Sequence, residues 1–274
     1  MKPEAYLSII HHALREDIQT GDLTSEAIFD ADDSCSAQLI AKQDGIIAGL
    51  AVFEQTFLLQ DPHTKVELLF QDGDSCNNRD VIARIQGSVI SVLGAERVAL
   101  NLLQRMSGIA TLTHKFVEKA GNSRILDTRK TAPNLRVLDK WAVRLGGGDN
   151  HRIGLYDMAL IKENHIKAAG GITAAVDQVL AYDNHRRPIE VEVTNLEELK
   201  EALTCDVDRI MLDNMDNETM REAVAITQGK TPLEASGNVS LETVASIAAT
   251  GVDCISSGAL THSVKAMDYS LLVV

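Results

Sequence analysis

Cysteine is scarce and unclustered. Cys35, Cys76, Cys205 and Cys254 stand far apart, with no CxxC pair. Isolated thiols of this kind fit a reducing compartment rather than a disulfide framework or a thiolate metal site. No apolar run approaches the ~20 residues that a membrane-spanning helix needs, and the mean hydropathy is −0.03. The opening stretch MKPEAYLSIIHHALRED mixes charged and apolar residues at helical spacing and has no signal-peptide core. These absences lead to the expectation of a soluble, cytoplasmic protein. Basic residues are in deficit, 26 Lys and Arg against 39 Asp and Glu, a net charge of −13. That deficit argues against a nucleic-acid partner.

What is present is ordinary globular material. The 274 residues are 45% hydrophobic and 24% charged, enough for one large or two modest domains. Residues 1–14 have Leu7, Ile10 and Leu14 at helical spacing. From Ser36 to about Leu93 the pattern reads as strands. AQLIAKQDGIIAG resembles a hairpin about Asp44-Gly45, and VELLFQDGD and DVIARIQGSVISVL read as further strands. A long helix is predicted from about Ala95, with Val98, Leu102, Met106, Ile109 and Phe116 in its apolar stripe and Gly121-Asn122 as its stop.

A strand-then-helix rhythm follows. The predicted strands are 124–128, 159–162, 189–193, 209–213, 233–236 and 254–257. The predicted helices are 172–181, 196–203, 218–227 and 241–249. Alternating β and α units imply a parallel sheet or barrel. No GxGxxG follows a first strand, which disfavours an open dinucleotide-binding sheet. The strands end on polar residues: Arg129, Lys162, Glu192, Asp213, Ser236 and Ser257. In an α/β barrel such ends gather on the face that carries the active site.

Residues 124–167 depart from the acidic background. They hold nine Lys and Arg against five Asp and Glu, leaving 17 bases and 34 acids elsewhere. Cations gathered beside Gly146-Gly147-Gly148 and Asn150-His151-Arg152 suggest a pocket for a multiply anionic small molecule. Arg129 and Arg152 are the candidate bidentate readers, while Arg136 and Arg144 fit a solvated face. In Ile189-Glu190-Val191-Glu192-Val193 the two glutamates share one face. A buried strand of this kind needs cations, hydroxyls or metal for its carboxylates. Asp213 ends the next strand; it is either a helix cap or, with Glu192, a ligand for ribose hydroxyls or Mg²⁺. Ser236-Gly237-Asn238 and Ser256-Ser257-Gly258 are small-residue turns at equivalent places in consecutive units, suited to phosphate. His11, His12, His63, His114, His185 and His262 have no identifiable partners and are read as structural.

In order along the chain, GDLTSEAI, ERVALNLLQRMSGIAT, ILDTRKTAPNLRVLDKWAVRLGGGDNHRIGLYDMALIKENHI, IEVEV, RIMLDNM, EASGNVS and ISSGALTHS closely resemble the quinolinate phosphoribosyltransferases, also called nicotinate-nucleotide pyrophosphorylases (carboxylating). The resemblance covers nearly the whole chain. It implies an α/β protein with an N-terminal α/β sandwich domain, residues 1–107, and an incomplete, open TIM-like barrel, residues 108–274, whose last strand returns to the first domain. It also implies transfer of phosphoribosyl from phosphoribosyl pyrophosphate (PRPP) to quinolinate with loss of CO₂, giving nicotinate mononucleotide for NAD biosynthesis.

By the same resemblance Arg129, His151, Arg152 and Lys162 hold quinolinate, with Arg97 reaching in from a second subunit, and Thr128 binds substrate. Lys130 and Lys140 face the donor. Glu192 and Asp213 hold ribose hydroxyls and, through PRPP and water, Mg²⁺. Ser236, Gly237, Asn238, Ser256, Ser257 and Gly258 cradle the 5-phosphate. No organic cofactor is implied. The implied assembly is a homodimer with a shared site, in some members built up to a hexamer, without nucleic-acid or membrane partners. The competing readings are a paralogous phosphoribosyltransferase on another acid, a non-catalytic anion-binding module, and a sugar-phosphate isomerase. The last needs a general base near the phosphate turns, and none stands out.

Overall fold

The structure is a computed structural model, and it describes residues 4–184 and 186–274. His185, expected above to be structural, lies outside the described residues. The chain begins with α1 (Glu4–Ile18) and α2 (Leu23–Ile28). Asp22 caps α2 by accepting from the Thr24 and Ser25 N–H groups. Then come β1 (Ser34–Ala41), β2 (Gly45–Ile46), α3 (Leu50–Gln60), β3 (Lys65–Leu68), β4 (Ser75–Cys76), β5 (Val81–Ser88) and α4 (Val89–Ala120). The second half runs through β6 (Arg124–Leu126), α5 (Arg136–Leu145), β7 (Ala159–Ile161), α6 (Glu163–Ala169), α7 (Ile172–Tyr182) and β8 (Ile189–Val193). It finishes with α8 (Leu196–Ala202), β9 (Arg209–Asp213), α9 (Asn217–Thr227), β10 (Leu233–Ser236), α10 (Val244–Ala248), β11 (Cys254–Ser256), α11 (Ala259–His262) and β12 (Tyr269–Val273).

These elements form two compact units. The first holds the described residues through His114, together with Ala132–Gly147 and Ser263–Val274. The second holds Lys115–Thr131 and Gly148–His262.

The first unit is built on an antiparallel sheet in the order β12-β1-β5-β3. Its core packs Leu39, Phe53, Phe57, Ile82, Ile85, Leu100 and Leu103 against one another. The expected hairpin about Asp44-Gly45 does not form. Both edges of β1 are taken, by β5 and β12, so Gly45-Ile46 pair instead with Ser75-Cys76. The Asp-Gly signal is local, whereas strand partners are chosen by the whole sheet.

Two helical expectations also change. α3 interrupts the stretch read as all strand, with Leu50, Val52, Phe53, Thr56 and Phe57 all buried. Apolar residues all round its surface leave no stripe to detect. Its first N–H groups are capped from afar, by Asp72 Oδ1 at 2.7 Å from Gly49 N and 2.9 Å from Leu50 N. The second change is that α4 starts at Val89, not near Ala95. Its buried stripe runs back through Val92 and Val89, residues whose branching suggested a strand. At 32 residues and 1.5 Å per residue it is about 48 Å long. Gln104 and Arg105 lie on it, and Arg105 grips Asp139 of α5 bidentately, both contacts at 2.8 Å. That grip sets the helix that carries Lys140.

The second unit is a six-stranded parallel sheet in the order β6-β11-β10-β9-β8-β7. β7 to β11 lie side by side in chain order, and β6 sits beyond β11, with no ladder joining β6 to β7 among the described residues. This is an open α/β barrel. The six strands coincide with the predicted ones to within two residues. Helix α10 is shorter than the predicted 241–249. No described helix is long and apolar enough to cross a membrane.

Candidate active site

The carboxyl ends of the six parallel strands open into a cleft of about 510 Å³. Strand β6 ends at Leu126, and Asp127-Thr128-Arg129-Lys130 turn out of it. Asp149 bridges in parallel to Leu126, its N–H donating to Ile125 O at 2.8 Å. Asp127, fully buried, then accepts the His151 N–H on Oδ1 at 2.9 Å. These bonds bring the Asn150-His151-Arg152 segment alongside the end of β6. Arg129 and Arg152 thus face one cleft, and burial together with repulsion from Arg129 holds the Arg152 pKa below its usual value. Two guanidiniums that repel one another at the edge of a cleft make a site for an anion.

The next wall comes from β7, β8 and β9. Lys162, just beyond β7, donates to Glu192 Oε2 at 2.7 Å. Asp213 ends β9 and accepts from Asn214 Nδ2 at 2.8 Å. Burial and the nearby Glu192 raise its pKa. Asp213 is not the cap of the next helix: Asp216 caps α9. Its place in the cleft therefore needs another explanation than helix capping.

The remaining wall is made by the two small-residue turns. Gly237 has φ of +102°, and a Cβ there would lie 2.1 Å from Asn214 Oδ1. A Cβ on Gly258 would lie 2.8 Å from Lys130 Cδ. Gly237, at a positive φ, needs glycine's bare backbone, and a side chain at Gly258 would have to push Lys130 and His262 aside. Asn238 Nδ2 donates to Asn214 Oδ1 at 3.2 Å, and the Ser257 N–H donates to Leu126 O at 3.0 Å. The helices after these turns are short. α10 begins only at Val244, so it is the turns themselves, not a long helix, that border the cleft.

The cleft lining brings together Thr128, Arg129, Lys130, His151, Arg152, Lys162, Glu192, Asp213, Ser236, Gly237, Asn238, Ser256, Ser257 and Gly258. Arg97 and Lys140 are not in it; both belong to the first unit, Arg97 on α4 and Lys140 buried on α5. Two histidines depart from expectation. His262, read as structural, lines the cleft, because the four-residue α11 carries it over Gly258. No local pattern marked it.

His151, expected to hold a carboxylate, has both ring nitrogens turned onto protein groups. Nδ1 accepts the Arg152 N–H at 2.8 Å, and Nε2 lies 2.9 Å from Glu190 Oε2 and 3.4 Å from Glu234 Oε2. Burial opposes charge on the ring, but the two glutamates outweigh it and push its pKa up to about 9.

Fold and cleft together define an open α/β-barrel enzyme whose site pairs a cationic wall with two carboxylates and two glycine turns. The family can be named. The N-terminal domain model of quinolinate phosphoribosyl transferase matches residues 22–107 and its C-terminal domain model matches residues 109–272. The chain belongs to that family. It is 48% identical to the quinolinate phosphoribosyltransferase [decarboxylating] 2b, mitochondrial, of Nicotiana tabacum, over 95% of this chain and 80% of that one. It is 45% identical to the probable nicotinate-nucleotide pyrophosphorylase [carboxylating] of Bacillus subtilis, over 96% of this chain and 91% of that one. The crystal structure of NadC from Streptococcus pyogenes superposes with a TM-score of 0.96 at 41% identity, covering 100% of this chain and 99% of that one.

Proposed function

We infer that this protein transfers the phosphoribosyl group of PRPP to quinolinate and releases pyrophosphate and CO₂, forming nicotinate mononucleotide. The observation that carries the reading is the division of one cleft. Arg129 and Arg152 repel each other on one side, Glu192 and Asp213 lie on another, and the Gly237 and Gly258 turns close it.

Arg129, Arg152 and Lys162 hold the two carboxylates of quinolinate, with Thr128 and His151 at their edge. The two glycine turns, with Ser236, Asn238, Ser256 and Ser257, cradle the 5-phosphate. Glu192 and Asp213 hold the ribose hydroxyls, close to the positive charge that develops on C1 as its bond to pyrophosphate breaks. The pyridine nitrogen donates its lone pair to C1, and the bond's electron pair leaves with pyrophosphate. Lys130, and Lys140 from α5, stabilise that leaving charge. The quaternised ring is then an electron sink. The C2–carboxylate bond breaks, CO₂ leaves, and C2 takes a proton. Cationic side chains would retain that carboxylate, so exclusion of water as the site closes favours its loss.

Glu192 and Asp213 are oxygen donors of the kind Mg²⁺ prefers, and such an ion, held with PRPP and water, would neutralise the pyrophosphate. Arg97 reaches the cleft of a second copy in a homodimer, alone or within a hexamer, and the protein works in the cytoplasm. Pyrophosphate and CO₂ released together from quinolinate plus PRPP test the reading. Pyrophosphate release with nicotinate, and none with quinolinate, would overturn it.

A further inference from the structure

One layer below the cleft, the open barrel buries charge that the chemistry above does not use. Glu190 and Glu234 are 0% exposed. Strand register explains how they meet. Glu190 lies opposite Arg209, and Glu234 lies opposite Met211, two residues further along β9. Side chains alternate along a strand, so Glu190 shares a face with Glu192, Arg209 with Asp213, and Glu234 with Ser236. Arg209 Nη1 lies 2.7 Å from Glu234 Oε2 and 3.9 Å from Glu190 Oε2. From the other side both acids meet the His151 ring, at the distances given above.

Stability alone is a weak reason for this cluster. A buried ion pair is seldom better than apolar residues of the same volume, and an unpaired buried charge is far worse. Nor is it a cation site awaiting an ion: the atoms of His151, Glu190 and Glu234 converge, but the guanidinium of Arg209 already holds the Glu234 oxygen. What sets the cluster apart is where it leads. It ends on His151, whose Nδ1 accepts the Arg152 N–H, while the His151 N–H is fixed by Asp127. A ring with both nitrogens on protein groups is a strut between the buried acids and the Arg152 backbone.

We propose that Glu190 and Glu234 are positioning residues for carboxylate recognition: they hold the His151 ring, the ring holds the Arg152 amide, and Arg152 is thereby aimed into the cleft. The proposal rests on the reading that the cleft takes quinolinate. A misplacement of about 1 Å in such a group costs on the order of a hundredfold in a well-aligned site.

Calorimetric binding and steady-state kinetics on the full chain test it. Glu190→Gln, which keeps the shape and removes the charge, should weaken the quinolinate Kd and raise its KM at least about tenfold, with kcat and the PRPP KM moving less than about threefold. In a His151→Gln background the same change should cost less than about twofold more, because both act through one strut. A folded Glu190→Gln with unaltered quinolinate affinity, or losses that simply multiply in the double variant, overturns the proposal. Should Glu190→Gln fail to fold, Glu234→Gln takes its place. A wild-type measurement is independent of both. The ¹⁵N resonances of the His151 ring should stay in place on saturation with quinolinate; a large Nε2 shift, reporting a ring that swings to the ligand, overturns the strut. A wild type that binds no quinolinate at all is a separate result, which removes the functional reading and this proposal with it.

Discussion

Lys162 Nζ sits 2.7 Å from Glu192 Oε2, joining the ends of the adjacent strands β7 and β8 in one wall of the cleft. The pair couples the two halves of the proposed site: the cation belongs to the quinolinate side and the acid to the ribose side. Without ligand each neutralises the other.

Half of the Lys162 side chain is exposed, so the pair adds little to stability, about 0–1 kcal/mol. Lys162→Met should therefore leave the melting temperature nearly unchanged. In the reaction it removes a charged hydrogen bond to a carboxylate, about 1.5–3 kcal/mol, or roughly 10- to 150-fold in kcat/KM for quinolinate. Kinetics and a thermal melt on one preparation check both halves. A large fall in melting temperature with unaltered kinetics would reverse the assignment.

Gly237→Ala puts a methyl group 2.1 Å from Asn214 Oδ1 at a backbone φ of +102°. Strain of about 1–3 kcal/mol should appear in the turn itself. The PRPP KM should rise at least about tenfold, while quinolinate binding in the absence of donor stays within about twofold. Equal damage to both ligands would mean that the turn serves the barrel, not the phosphate.

The His151 ring carries a pH dependence whose sign follows from its raised pKa. Below about 6.5, the ordinary value, the ring is charged whether the chain is folded or not, and its contact with Glu190 and Glu234 contributes in full. Between 6.5 and about 9 only the folded chain keeps the proton, so stability falls as pH rises, and the contribution is gone above about 9. A charged ring carries a proton on Nδ1 and cannot accept the Arg152 N–H, so charging costs that bond and about 3 kcal/mol is a ceiling. Melting temperatures of the wild type and Glu234→Gln between pH 6 and about 10 read it out. The wild type should decline over that window and the variant should be flatter; parallel curves would remove His151 from the account.

A shared site predicts complementation. Arg97→Ala and Lys140→Ala, each inactive alone, should recover activity on mixing, up to about a quarter of wild type when one site in a heterodimer is intact and half of the dimers are mixed. Purified heterodimers carrying two tags settle the matter: none active, and Arg97 acts within its own chain or not at all.

Much of the barrel could be read without a structure. Ile189–Val193, Arg209–Asp213 and Leu233–Ser236 are short branched runs that end on polar residues, and parallel strands buried by helices allow few other arrangements. The polar ends foretold the cleft for the same reason: strands in one parallel sheet point the same way. α3 escaped because a helix with no exposed face shows no stripe, and its N-terminal cap, Asp72, lies 22 residues further on. His262 escaped because a single histidine after a Ser-Gly turn carries no pattern.

The role of His151 shows where reading by type stops. Its neighbours in the basic segment and the family resemblance both point it at an anion. Residue types, periodicity and strand-end chemistry determined that this chain makes a parallel α/β sheet or barrel with cations, carboxylates and glycine turns at one mouth. Only the tertiary structure decided that Glu190, Arg209 and Glu234, from three strands, meet beneath that mouth and turn the His151 ring inward. The reason is physical: alternation along one strand is local and legible, but which buried charges neutralise one another depends on register between strands that are far apart in the chain.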